Sequence, residues 1–278
     1  MHIKVGCELV YDCPQPTPML LMLNIHYSRA SDILVPDRLV TNPSVPIAAY
    51  RDGFGNWVSR IVAPAGTTRI STSAVVHDNG LPDVVVPYAH QHPVQDLPEE
   101  ALVFLLASRY CDTELLTETA WRLFDRAPLG WARVQAICDF VHQHIHFDYM
   151  QARVTRTAWE AYNEGVGVCR DFAHLAIAFC RCMNIPARYC TGYLGDIDMP
   201  PPYGVMDLAG WFEAYLDGQW YTFDARNNIP RVGRVLLARG RDAVDVAIST
   251  TFGPNTLRGF TIWTEEIADP AAPEPTPR

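Results

Sequence analysis

The stretch Glu164–Cys180, EGVGVCRDFAHLAIAFC, decides the fold. Gly165 and Gly167 precede Cys169, and the residues that follow Cys169 are apolar almost all round a helix. A helix that is apolar on every face is buried at the centre of a protein. We therefore predict that residues 169–184 form the central, buried helix of the core, with Cys169 in its first turn.

Cys169 has the setting of a nucleophile. The thiolate is the attacking form, and a helix N-terminus lowers the thiol pKa through its unpaired N–H groups and its positive dipole end. Glycines permit close backbone approach, so Gly167 is assigned to the substrate cleft, where a substrate carbonyl could reach the sulfur. The alternative is that Cys169 is one more small, buried residue among eight cysteines. The spacing alone does not separate the two interpretations.

The segments on either side of this helix indicate helices first and strands afterwards. Residues 113–127 and 130–149 carry apolar residues at spacings of three and four, which predicts helices. After the buried helix, IPARYCTGYLG (185–195) predicts a strand. GWFEAYLDGQWYTFDA (210–225) predicts a hairpin that turns at Asp217-Gly218, since Asp-Gly is a favoured two-residue turn. Further strands are expected within 232–250 and 257–267.

The N-terminal region, up to about residue 90, has the pattern of a small antiparallel β-sandwich. Short apolar runs alternate with turn residues, and Asp52-Gly53 with Gly55-Asn56 marks a hairpin. The order of strands, then helices, then strands is α+β. We predict an N-terminal β-domain at 1–88, a core domain at 89–268 and a disordered, Pro-rich tail at 269–278.

Composition excludes several classes of function. The formal net charge of −9 argues against a nucleic-acid partner, because phosphate binding requires a basic face. The N-terminus lacks the pattern of a signal peptide, and no apolar run approaches the roughly 20 residues of a membrane helix, so a cytoplasmic location and no membrane contact are expected. The pair Cys180 and Cys182 lacks a second half of a zinc site, and no metal or cofactor is expected.

Two segments resemble the bacterial transglutaminase-like proteins, a branch of the papain-like cysteine superfamily. They are TAWEAYNEGVGVCRDFAHLAIAFCRCMNIPARYCTGYL (157–194) and GWFEAYLDGQWYTFDARNN (210–228). The resemblance implies a central helix packed on an antiparallel sheet, often behind an N-terminal β-domain. It also implies a Cys–His–Asp triad, in which Cys169 is the nucleophile and Asp224 is the acid that orients the base. The histidine position is occupied by Ala209, and Trp211 is expected to border the cleft.

The remaining histidines offer few substitutes for that base. His174 is the last histidine of the chain and should face away from Cys169 and make a buried hydrogen bond. His142 and His146 are spaced to share a helix face, where a surface pair is favoured over a metal site. His90 and His92, in the segment before the helices, could reach over the cleft.

A cluster of five arginines follows the second segment of resemblance. It comprises Arg226, Arg231, Arg234, Arg239 and Arg241. One interpretation is a patch for an acidic peptide or a carboxylate. The interpretation favoured here is a set of ion pairs with Asp224, Asp242 and Asp245 that fixes the C-terminal strands.

Three hypotheses about function follow. The first is a thiol-dependent enzyme that acts on amide bonds of a protein or peptide, by hydrolysis or acyl transfer, through Cys169. Without the base its rate is expected to be lower by about 10⁴–10⁶. The second is a catalytically silent module that keeps the cleft and binds a peptide. The third is that Ala209 is an engineered substitution; the sequence leaves this and the oligomeric state open.

Overall fold

The computed structural model describes residues 1–201 and 207–268. The predicted tail lies outside the described residues. The helices are α1 Glu99–Leu102, α2 Thr113–Phe124, α3 Trp131–His144, α4 Ala158–Glu164 and α5 Cys169–Cys182. The strands are β1 His2–Cys13, β2 Thr17–Leu21, β3 Ile33–Val35, β4 Val40–Asn42, β5 Ala48–Arg51, β6 Trp57–Ala63, β7 Gly66–His77, β8 His146–Phe147, β9 Val166–Gly167, β10 Ala187–Tyr193, β11 Leu208–Leu216, β12 Gln219–Phe223, β13 Val235–Gly240, β14 Ser249–Thr251 and β15 Thr256–Ile267.

Helix α5 is the buried centre of the core, as its composition predicts. Every residue from Asp171 to Cys182 is buried. Its apolar side chains pack between α2, α3 and α4 on one side and a sheet on the other. The helix ends where Met183 leaves helical geometry, and the buried guanidinium of Arg181 donates to the carbonyl oxygens of Leu106 and Ala187. The predicted α+β fold is confirmed.

The sheet behind α5 has four antiparallel strands in the order β12-β11-β10-β13. Phe212 and Ala214 of β11 point into the α5 core, which fixes the register of the strand. The hairpin between β11 and β12 turns at Asp217 (φ 49°) and Gly218 (φ 81°), the left-handed pair that a tight two-residue turn requires. This prediction is confirmed.

Two further sheets face each other at the N-terminal side. One has the order β15-β1-β7-β3 with β4 beside β7, and the other has the order β14-β2-β6-β5. Val5 and Leu9 of the first pack with Met19 and Ile61 of the second in one buried cluster. The hairpin between β5 and β6 forms at the predicted Asp-Gly and Gly-Asn positions.

The C-terminal strands return to these N-terminal sheets. Strand β15 pairs along β1, from His2 opposite Ile267 to Asp12 opposite Thr256, and β14 pairs with β2. The sequence analysis assigned this segment to the core domain, because strand patterns do not specify their partners. The division at residue 88 stays a prediction.

Helix α1 covers four residues and is followed by a 3₁₀ turn. Helix α3 is shorter than the helix predicted at 130–149. Helix α3 ends at His144 because Ile145 is extended, and His146 lies in β8. His142 and His146 are therefore not partners on one helix, and that prediction was wrong. None of the helices in the described ranges has the length and apolar character needed to cross a membrane.

Candidate active site

The chain reaches Cys169 through a short helix with strong end signals. Thr157 and Glu160 form a capping box at the start of α4, in which each side chain accepts from the other residue's backbone N–H. The helix ends at Gly165, whose φ of 64° is left-handed. Strand β9 then pairs with β8 and delivers the chain to the first turn of α5.

Asp171 anchors the start of α5. Its carboxylate accepts from the backbone N–H of Val168 at 2.9 Å and pairs with the buried Arg156 at 3.1 Å. A Cβ at Gly167 would lie 2.7 Å from the Asp171 carboxylate, so glycine is required at 167 for this cap to form. The sequence analysis assigned Gly167 to the substrate cleft, but the space beside it is filled by Asp171.

Cys169 faces a cavity of about 170 Å³. It is half-buried, whereas the other seven cysteines are buried, and all eight are free thiols. The titratable groups around the cavity belong to Tyr149, Cys169, Asp196, Asp207, Arg226 and Arg231. Within the described part of the chain, no histidine lines it.

The environment of the thiol differs from the sequence prediction. Burial raises the pKa of Cys169 above its ordinary value, although a hydrogen bond from the backbone of Gly210 and the nearby positive charge of Arg226 act to lower it. The helix N-terminus therefore does not by itself produce a thiolate. Desolvation, which sequence spacing does not reveal, outweighs these favourable groups.

Ala209 lies beside the cavity in strand β11, and the residue after it, Gly210, contacts the Cys169 sulfur. Its side chain packs with Cys190, Trp211 and Leu236, and the cavity reaches Ala209 from the Cys169 side. The backbone of the following residue, Gly210, hydrogen-bonds to Cys169. Position 209 is thus close to Cys169 in space.

Trp211 occupies a different place from the one expected. It is buried and lines a separate cavity of about 470 Å³ between the four-stranded sheet and the segment 77–84. The Arg234 guanidinium stacks over its ring at 5.0 Å. The expectation that Trp211 borders the cleft at Cys169 is not met, because its side chain points across the sheet to this second cavity.

Asp224 is engaged by four donors. The backbone N–H groups of Arg226 and Asn227 donate to one oxygen, at 3.1 and 2.9 Å. The Asn227 side chain and the Arg234 guanidinium donate to the other, at 2.7 and 2.8 Å. Burial alone would raise the pKa of Asp224, but Arg234 and Asn227 outweigh it and hold this pKa below its ordinary value. In this chain the carboxylate fixes the segment that follows β12.

The histidines proposed as distant substitutes lie elsewhere. His90 accepts through its carbonyl oxygen from Asp217 N–H, and its neighbour Gln91 donates to the carbonyl oxygen of Met183, just after α5. Helix α5 is about 20 Å long at 1.5 Å per residue, so His90 and His92 are at the far end from Cys169. The suggestion that they reach over the cleft is wrong.

His174 behaves as the sequence predicts. It is fully buried, stacks on Tyr110 and accepts from the backbone N–H of Ala243 at 3.1 Å. Burial lowers the pKa of His174 well below its ordinary value, so the ring is neutral. It stabilises packing behind α5.

The arginine cluster consists mainly of ion pairs. Arg234 contacts Asp224 and Asp83, both at 2.8 Å, and Arg241 contacts Asp245 at 2.8 Å. Asp242 accepts instead from backbone N–H groups. The favoured interpretation is therefore correct for Arg234 and Arg241.

Two groups that the sequence analysis did not single out also face the sulfur. Asp207 precedes β11, and burial raises the pKa of its carboxyl above the ordinary value, while Leu208 N–H and Arg226 oppose this. Burial also raises the pKa of Tyr149, and negative charge at Asp207 and Cys169 adds to the shift. A sequence signal was available for Asp207 alone, since it lies two residues before Ala209 and alternate residues of a strand share a face.

Similar proteins identify the family of this chain. The profile of the Transglutaminase-like superfamily matches residues 120–225. The crystal structure of a "Putative Cysteine Protease" from Cytophaga hutchinsonii superposes with a TM-score of 0.83 and 30% identity, over 98% of this chain and 93% of that one. The chain belongs to the transglutaminase-like superfamily.

The chain is also similar to mycobacterial proteins. A Mycobacterium leprae protein is 34% identical over 95 residues, a match that spans 32% of each chain. A Mycobacterium tuberculosis protein is 27% identical over 238 residues, which is 76% of this chain and 74% of the relative. The transglutaminase-like fold supports membership of a family of cysteine-dependent enzymes that act on amide bonds.

Proposed function

We propose that this protein transfers acyl groups from amide bonds of a protein or peptide through Cys169. The observation that carries the proposal is the position of this thiol. Cys169 is the half-buried cysteine, it faces a cavity, and the backbone of Gly210 hydrogen-bonds to its sulfur. A hydrogen bond to the charged form of a group favours that form, so Gly210 stabilises the thiolate when it appears.

The proton acceptor in this proposal is Asp207. It shares the cavity with Cys169, and no histidine lines that cavity within residues 1–201 and 207–268. Carboxylates serve as general bases, and burial moves the pKa of Asp207 upward, closer to the pKa that proton transfer near neutrality requires. The role that the family gives to a histidine at 209 would then fall on a group two residues earlier.

The chemistry proceeds in two balanced steps. The Cys169 sulfur bonds to the substrate carbonyl carbon while its proton passes to Asp207, which then protonates the leaving amine as the C–N bond breaks. The product is a thioester on Cys169. Water or a second amine attacks this thioester and gives its proton to Asp207, and the departing sulfur recovers that proton.

The rate should depend strongly on the leaving group. Because the pKa of Cys169 is raised and that of a carboxylate remains lower, the first proton transfer is uphill. Amide cleavage should therefore be slow. An aryl thioester should react readily, because its aryl thiolate leaves without needing a proton.

We include a cytoplasmic location in the proposal, since all eight cysteines are free thiols.

The test compares an aryl thioester with the matching peptide amide. Cys169→Ser should lower turnover of both by at least ~10³-fold, and mass spectrometry should detect the acyl group on Cys169 in the wild type only. Asp207→Asn should affect the amide at least ~10-fold more than the thioester. Cys182→Ser is the control, because a serine hydroxyl can keep the hydrogen bond to the Thr113 carbonyl oxygen. Unchanged turnover in Cys169→Ser would exclude the proposal.

The second candidate is a peptide-binding module without catalysis. It is favoured by the raised pKa of Cys169 together with the absence of a histidine among the described residues that line the cavity. In that case no acyl group is found on Cys169 with any donor. Peptide binding measured by calorimetry would then be the same in the wild type and in Cys169→Ser.

A further inference from the structure

The guanidinium of Arg226 lines the cavity at Cys169 and forms no ion pair with a carboxylate among the described residues. The Arg226 guanidinium stacks over the Phe147 ring at 4.3 Å, and its backbone is fixed by Asp224 and by the His142 ring. Among the described residues, no carboxylate lies within ion-pair distance of it, although Arg231, Arg234 and Arg241 of the same segment each have an acidic neighbour. Its positive charge is close enough to the Cys169 sulfur to oppose the rise in the Cys169 pKa that burial causes.

A second arginine, Arg231, lines the same cavity and carries an unsatisfied donor. Arg231 is only 6% exposed, and its Nη2 donates to the Gly195 carbonyl oxygen at 2.8 Å. Asp196 lies 3.9 Å from the same nitrogen, at the limit of an ion pair. The Nε–H of Arg231 has no partner among the described residues. A buried donor without a partner is unfavourable, and Arg231 also lines the separate cavity of about 470 Å³.

Two arginines therefore line one small cavity, although the chain as a whole has a formal net charge of −9. An unpaired arginine on a fixed, stacked side chain suits planar, bidentate recognition of a carboxylate. The acidic group that opposes such a ligand is Asp207, whose carboxylate accepts from Leu208 N–H at 2.7 Å. Asp196, the other carboxylate of the lining, lies 3.9 Å from Arg231.

We propose that Arg226, with the second arginine Arg231 in the same cavity lining, binds a carboxylate of the substrate. The acyl groups taken by Cys169 would then carry a negative charge a few atoms from the carbonyl that is attacked. This inference rests on the proposed function for the role of Cys169 as nucleophile. Its recognition step can be measured without turnover, so the two can fail separately.

The experiment uses a pair of alkylating reagents that differ in one charge. Iodoacetate carries a carboxylate next to the reacting carbon, and iodoacetamide carries a neutral amide of similar size. The rate of each with Cys169 is followed on the wild-type full chain by mass spectrometry of the peptide that contains it. The ratio of the two rates is divided by the same ratio for glutathione, which removes the intrinsic difference between the reagents.

The normalised ratio should be about five in the wild type, because the Arg226 guanidinium attracts the carboxylate of iodoacetate within a half-buried site. Arg226→Gln should bring it to about one or below, and Arg226→Lys should retain part of it because the charge remains. Asp207→Asn should increase it by removing repulsion. Arg258→Gln is the matched control, since it removes the same charge on exposed β15 and should change nothing.

Three outcomes would overturn the inference. They are a wild-type ratio at or below one, a ratio unchanged in Arg226→Gln, and an equal loss in the Arg258→Gln control. If Arg226→Gln does not fold, the salt dependence of the wild-type ratio decides, because salt should lower a ratio caused by charge. If the normalised ratio is above one but no acyl donor is turned over, the carboxylate site is supported and the proposed function is excluded. If neutral and acidic acyl donors are turned over at equal rates, the proposed function is supported and the carboxylate site is excluded.

Discussion

The two ends of helix α5 carry the same residue type in contrasting surroundings. At the N-terminal end Cys169 is half-buried beside a cavity of about 170 Å³. At the C-terminal end Cys180 is fully buried and Cys182 is 8% exposed, with its thiol donating to the Thr113 carbonyl oxygen. Burial raises the pKa of all three thiols. Access to solvent and substrate, more than thiol acidity, distinguishes the first from the others.

The two ends also differ in their polar contacts. Asp171 accepts from the backbone N–H of Val168, and Arg156 neutralises its buried charge. At the other end Arg181 donates to carbonyl oxygens from three segments, Leu106, Ala187 and Arg241. The N-terminal end is thus built to stay open beside a cavity, whereas the C-terminal end joins segments together. This difference explains why one cysteine is a candidate nucleophile and its neighbours are not.

The largest expected effect is on cysteine labelling at the two ends. Under native conditions iodoacetamide should modify Cys169 at least ~10³-fold faster than Cys180, because Cys180 reacts only when the core opens. Mass spectrometry of peptides after timed labelling measures both rates. In denaturant the two rates should converge, which is the control. Equal rates in the folded protein would remove the distinction between the ends.

A smaller effect is expected from restoring a histidine at the cavity. Ala209→His should raise amide turnover by about 10²-fold, since an imidazole near the sulfur supplies a base matched to neutral pH. Steady-state kinetics on a peptide amide measures this. Ala209→Gln is the matched control, because it adds similar volume without a titratable group. A folded Ala209→His protein with no gain would contradict the assignment of position 209.

The smallest expected effect is the pH dependence of stability that His174, in the middle of α5, contributes. The pKa of His174 lies well below its ordinary value of 6.5 in the folded protein, because the ring is buried. The unfolded chain therefore binds a proton that the folded one does not, and stability falls as pH falls through 6.5. This residue should cost roughly 2 kcal/mol of unfolding free energy by pH 5.

Urea unfolding at pH 7 and pH 5 measures this loss. His26, whose pKa burial lowers from 6.5 to about 4, contributes to the same slope. His174→Gln should reduce the slope, because the amide keeps an acceptor for the Ala243 N–H without titrating. His146→Gln, at an exposed position, is the control. An unchanged slope in His174→Gln would show that the ring is not the source.

Local patterns were enough to predict several elements. The apolar composition of 169–182 predicts a buried helix, and Asp217-Gly218 predicts the tight turn between β11 and β12. These predictions succeed because helix burial and turn geometry depend on neighbouring residues. The resemblance around Cys169 and Asp224 likewise identifies the family, since motif residues are close in sequence.

Other features depended on contacts between distant segments. The C-terminal strand β15 pairs with β1, which no strand pattern specifies. The Trp211 side chain lines a second cavity, and Asp171 fills the space beside Gly167. These positions depend on which surfaces meet after folding, so the periodicity of the sequence does not predict them.

The sequence by itself determined the central helix and the family, and it predicts that Ala209 occupies the family's histidine position. Only the tertiary structure decided what surrounds the Cys169 sulfur. It brings together Asp207 and Arg226, and no histidine is among the described residues that line the cavity. The physical reason is that desolvation and charge depend on the three-dimensional neighbours of a group, and these come from segments far apart in the chain.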